Sequence, residues 1–136
     1  MRRLAVAAMV LCATACDGGA DEDAARPCAG LLLPAKAEAS LPTGLPAGID
    51  GATFYELQKV GSTRLHHARA AGDDIVAVRD AVERAYTDAG ITIEGRDAEP
   101  PAEAELQWSV GDREGSVRVT PLCEGYVRLI YRVGPR

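Results

Sequence analysis

From residue 103 to residue 133 the chain alternates apolar and polar side chains with a period of two. Ala104, Leu106, Trp108 and Val110 alternate with Glu103, Glu105, Gln107 and Ser109. Val117 and Val119 alternate with Ser116, Arg118 and Thr120, and Val127, Leu129, Tyr131 and Val133 flank Arg128 and Arg132. Side chains of a strand point to opposite faces in turn, so each run reads as a strand with one buried and one wet face. The joins, "GDREG" and the "EG" near Cys123, are too short for a crossover, so the strands must be antiparallel. Pairing Val110 with Gly115 sets Trp108 against Val117 and Leu106 against Val119. Pairing Leu122 with Tyr126 sets Val119 against Leu129 and Val117 against Tyr131. The opposite face then carries the rows Gln107–Arg118–Ile130 and Glu105–Thr120–Arg128.

An apolar sheet face needs a cover. "GDDIVAVRDAVERAYTDAG" provides an amphipathic helix. Ile75, Val78, Val82, Ala85 and Ala89 recur at helical spacing with Tyr86 beside them, and Arg79, Asp80, Glu83, Arg84 and Asp88 take the other side. Asp73 or Asp74 is the N-cap, Asp80 and Arg84 are spaced as an i,i+4 pair, and Gly90 ends the helix. Residues 53–60 and 62–70, rich in β-formers around Gly61, predict a hairpin of unsettled facing, because Phe54 and Tyr55 are adjacent. Residues 91–94 predict a short strand that the Pro100-Pro101 pair follows. The expected fold is α+β: an antiparallel sheet with one helix packed on one face, two layers in the order ββαββββ.

Upstream, Pro34, Pro42 and Pro46 with Gly44, Gly48 and Gly51 exclude a long helix and predict an irregular segment over the surface. Leu31, Leu32 and Leu33 are apolar enough to dock on the domain. The 136 residues suffice for one domain, and with 4% aromatic content the core must be built from Val, Leu, Ile and Ala. Net charge is −5, with 15 basic against 20 acidic residues. Such a balance argues against nucleic-acid binding and against charge-driven adhesion to anionic lipid.

The N-terminus, "MRRLAVAAMVLCATAC", runs from two arginines through an apolar stretch to small residues, the pattern of a secretory signal peptide. Its apolar run is far shorter than the roughly 20 residues that span a bilayer. "ATAC" resembles the lipobox of bacterial lipoproteins, although Ala13 stands where that family usually has Leu. The resemblance covers the first 16 residues only. It implies cleavage before Cys16, a diacylglycerol on the Cys16 sulfur, further acylation such as palmitate on the new N-terminus, and anchoring to the bacterial cell membrane on its extracytoplasmic side. Three regions follow: 1–15 a signal peptide, 16–27 a lipidated cysteine with a flexible acidic tether, and 28–136 one small domain. Loss of Arg2 and Arg3 leaves 13 basic against 20 acidic residues, a net of −7.

Four cysteines are present. Cys12 leaves with the signal peptide. With Cys16 acylated, Cys28 and Cys123 remain, an even number in an oxidising compartment, and pair most simply as a disulfide. Two buried free cysteines are the alternative. No C-x-x-C pair occurs, so neither a metal site nor a cofactor is expected.

Reactive constellations are sparse. His66 and His67 are adjacent and would point to opposite faces of a strand. "VGST" is not a nucleophile elbow, and the acids Glu94, Asp97, Glu99, Glu103 and Glu105 gather around an exposed loop. Trp108 falls in the core row. More suggestive is the outer sheet face, where Arg118, Arg128 and Arg132 stand beside Tyr126 and Ile130 with no second helix to cover them. Arginine with aromatic and apolar neighbours suits a protein interface. The expected function is therefore a membrane-tethered, non-catalytic binding domain, the partner meeting that face. The alternatives are an envelope structural protein without a ligand and a small secreted enzyme using His66 or His67.

Overall fold

The computed structural model describes residues 26–136. The signal-peptide, lipobox and Cys16 readings fall outside them. Within them the chain forms one six-stranded antiparallel sheet and one α-helix, an α+β architecture. The elements are β1 (Thr53–Val60), β2 (Thr63–Ala71), α1 (Ile75–Asp88), β3 (Thr92–Glu99), β4 (Glu103–Val110), β5 (Arg113–Cys123) and β6 (Tyr126–Pro135). The strands lie side by side in the order β1-β2-β6-β5-β4-β3, so the N-terminal hairpin adds to the meander along β6.

Strand β5 meets β6 with Val119 opposite Leu129 and Val117 opposite Tyr131, the register read from the alternation, but a bulge between Pro121 and Cys123 puts Cys123 rather than Leu122 opposite Tyr126. The β4–β5 register differs from expectation by two residues. Val110 pairs with Arg113 across a two-residue turn, and Leu106 faces Val117. The turn is the cause. Gly111 takes the left-handed φ of +59° that a tight hairpin requires at its first turn position, so "GD" alone reverses the chain. A shift of two preserves which face each side chain occupies. The core rows become Trp108–Gly115, Leu106–Val117–Tyr131 and Ala104–Val119–Leu129.

Gly115 occupies its row for want of space. A Cβ there would stand 2.7 Å from Cζ2 of Trp108 and collide with the Arg132 carbonyl. The Trp108 ring, 1% exposed, meets Tyr86 edge-on at 5.8 Å, which joins helix to sheet. Strand β3 runs longer than residues 91–94. It bulges between Ile93 and Gly95, then pairs with β4 as far as Glu99–Glu103.

Helix α1 is capped at both ends. Asp74 Oδ1 accepts from the amides of Val76 and Ala77, both at 3.0 Å. At the other end Gly90, at φ +77°, lets the Ile91 amide donate to the Tyr86 carbonyl at 2.9 Å. Ile75, Val78, Val82 and Tyr86 face the core, whereas Ala89 is exposed. Arg79 does not join the solvent side. It is buried and reaches the edge of β3, donating to the Asp97 carbonyl at 2.9 Å and pairing with Asp80 at 2.7 Å. That pair replaces the Asp80–Arg84 pair expected from spacing. A long arginine stem covers apolar surface while its head finds an acceptor.

The Pro/Gly segment does more than lie over the surface. Helix α1 contacts β3, β4 and β5, and residues 34–51 reach the core side of β2 and β6 at His66 and Tyr131 and join β1 at Phe54. Lys36 donates its amide to the Phe54 carbonyl at 2.9 Å, and a short 3₁₀ turn, Ala37–Ala39, packs against β1. Ala39 and Leu45 are buried, Leu41 and Ile49 pack against the core, and Ala47 accepts from the Tyr131 hydroxyl at 2.6 Å. Gly48, at φ +79°, passes so near the helix that a Cβ would stand 2.7 Å from the Val82 Cα. Leu32 and Leu33, by contrast, are exposed rather than docked. Cys28 and Cys123 are joined in a disulfide, Cα–Cα 5.0 Å, fixing the start of this segment to the end of β5.

Candidate functional face

The polar faces of the strands form one continuous surface across the sheet. From β2 it takes Leu65, His67 and Arg69; from β6, Tyr126, Arg128, Ile130 and Arg132; from β5, Ser116, Arg118 and Thr120; from β4, Glu103, Glu105 and Gln107. Three cross-strand rows run through it. Arg69 stands opposite Arg128, which stands opposite Thr120. His67 stands opposite Ile130, which stands opposite Arg118. Leu65 stands opposite Arg132, which stands opposite Ser116. Among the described residues no helix or second sheet covers this face; residues 26–33 only cross toward Arg69, whose Nε donates to the Leu33 carbonyl at 2.9 Å.

The three arginines named from sequence do not share one environment. The corrected β4–β5 register puts Glu105 opposite Arg118. Arg118 therefore pairs with Glu105 at 3.0 Å and with Glu103 at 3.6 Å. None of the described ion pairs involves Arg128, Arg132 or Arg69. Arg132 is exposed, and Arg128 is half-buried with its Nε enclosed and without an acceptor. Arg69 went unnoticed in the sequence because its neighbour across the sheet lies 59 positions away. The pairing of β2 with β6 brings them together.

The two histidines fall on opposite faces. His66 is 2% exposed on the core side, where its Nδ1 donates to the Ala39 carbonyl at 2.9 Å. A carbonyl can only accept, so this nitrogen carries the proton. His67 lies on the open face beneath Tyr55, ring centroids 6.3 Å apart. Tyr55 reaches it because β1 bulges between Phe54 and Glu56. The bulge settles the facing of that strand, with Phe54 on the core side, 5.4 Å from Tyr131. Burial lowers the His67 pKa, with Arg128 and His66 adding to the effect and Glu56 opposing it. Its Nε2 is enclosed and has no partner.

The remaining acids lie toward β3. Ser109 donates to Glu94, and Arg136 lies 3.9 Å from Glu94. Among the described residues no group of three or more His, Cys, Asp or Glu is placed to hold a metal ion. No helix there is long and apolar enough to cross a membrane. Comparison with protein-family models, curated proteins and solved structures finds no match to this chain.

Proposed function

We propose that this chain is an extracytoplasmic lipoprotein, tethered through Cys16 to the bacterial cell membrane, whose folded domain captures a partner on the open face of its sheet without catalysing a reaction. We read the domain as two layers in the order ββαββββ, with α1 and residues 34–51 together forming the layer over the core face. The observation that supports binding is the outer face, which no helix or second sheet covers among the described residues, and on which Arg128 and Arg132 have no described carboxylate partner while Ile130 and Tyr126 stand between and beside them. Interfaces favour arginine and tyrosine on a rigid support. The tether reading draws on the signal-like N-terminus and on cysteine number. With Cys12 removed and Cys16 acylated, the other two cysteines are the disulfide pair.

Crosslinked affinity capture from intact cells, with Arg118, Arg128 and Arg132 replaced by alanine, tests the face. The triple variant should fold and lose the partner captured by the parent chain. Undiminished capture sinks the assignment of this face. Intact mass of membrane-extracted protein tests the tether, through a chain starting at Cys16 and carrying added acyl mass. A mass matching the uncleaved chain contradicts it.

A further inference from the structure

The arrangement of cations without a described carboxylate partner on the open face names a class of partner. Arg69 and Arg128 are directly opposite each other on β2 and β6. Like charges at such a cross-strand position repel. No described carboxylate bridges them; the Arg69 Nε is held by the Leu33 carbonyl and the Arg128 Nε is enclosed, which leaves the remaining guanidinium nitrogens to meet an anion. The hydroxyl of Thr120 stands in the same row. A further cation with no described carboxylate partner, Arg132, lies four residues along β6, about 13 Å at strand rise. Ile130 stands between them on the same face, half-buried. Read along β6, the face presents a cation, an apolar side chain and a cation at every second residue.

We propose that this row binds an extended acidic segment of a partner protein, with two carboxylates four residues apart flanking an apolar side chain. This rests on the open face being the binding face. An extended peptide also places every second side chain on one side, so its spacing equals that of β6. The first carboxylate lies between Arg69 and Arg128, the apolar side chain covers Ile130, and the second carboxylate meets Arg132. Arg118, neutralised by Glu105 and Glu103, stands outside the row of recognition. An anionic lipid surface fits less well, because the chain as a whole is acidic and would be repelled.

Fluorescence anisotropy on the full chain in a neutral detergent tests this. The probe is a labelled seven-residue peptide with two glutamates four apart around a central leucine and serines elsewhere. Binding is expected to weaken at least tenfold in Arg128→Gln and in Arg132→Gln, and likewise when both glutamates become glutamine or stand two residues apart. Arg132 is exposed, so its variant guards against a folding defect at the half-buried Arg128. Equal binding by the variants overturns the proposal. So does Arg128-dependent uptake on phosphatidylglycerol vesicles without peptide binding, or Arg128-dependent dimerisation in sedimentation without it. If the peptide fails while captured partners still depend on these arginines, only the acidic-segment inference falls. If capture is lost as well, the reading of the face falls with it.

Discussion

At the scale of single residues, the fold depends on positions where one atom more would not fit. Gly115 sits beneath the Trp108 ring and against the β6 backbone. Gly115→Ala is expected to destabilise the domain by about 1–3 kcal/mol through overpacking, read from the midpoint of a urea melt. An unchanged midpoint would show that both the Trp108 ring and the β6 backbone at Arg132 can move aside. This role was not legible beforehand, because the expected register placed Gly115 opposite Val110 and Trp108 opposite Val117. The face each residue occupies follows from alternation alone, but its partner depends on turn length. That length followed from Gly111 taking a left-handed φ. The same two-residue change transfers Arg118 from Gln107 to Glu105, and so gives that arginine a carboxylate partner.

At the scale of elements, α1 and the meander were readable because their signals are local: apolar spacing, an aspartate N-cap, a glycine stop. The pairing of β2 with β6 joins segments some sixty positions apart, and nothing local encodes it. That pairing puts Arg69 beside Arg128 and His67 beside Ile130. Residues 34–51 were equally opaque. Their prolines and glycines announce an irregular path, yet Ala39 and Leu45 are buried and Leu41 and Ile49 pack against the core. Gly48 allows the close pass over Val82 and holds a positive φ. Gly48→Ala combines backbone strain with a clash, each costing about 1–3 kcal/mol. Chemical denaturation should show a loss of about that size, and hydrogen exchange should show earlier opening near Ala39 and Tyr131. Wild-type protection there would mean the segment does not act as a cover.

At the scale of the whole molecule, the Cys28–Cys123 disulfide spans 95 positions and closes nearly the entire domain. Loops of about that length gain about 2–4 kcal/mol in practice, mainly by restricting the unfolded chain. A Cys28→Ser/Cys123→Ser variant should lose that much in urea denaturation, and reductant should affect only the parent. Equal stability of the two would remove the disulfide from the account. Acid should weaken the fold as well. Burial holds the His67 pKa below its ordinary value. The unfolded chain therefore takes up this proton first as pH falls, and stability declines from about pH 6.5 downward through the folded pKa. Thermal melts between pH 7.5 and 5 should show a smaller decline in His67→Gln than in the parent; an identical decline would assign it to other groups.

We proposed that the open sheet face, not the helical side, meets a partner at the membrane. A photo-crosslinking side chain placed at Ile130 in living cells, compared with one at the exposed Arg84 on α1, tests it most directly. A discrete, membrane-associated adduct is expected from Ile130, one that disappears when Arg128 and Arg132 are replaced by alanine, and none from Arg84. An adduct from Arg84 alone, or one from Ile130 that persists without the two arginines, would contradict it.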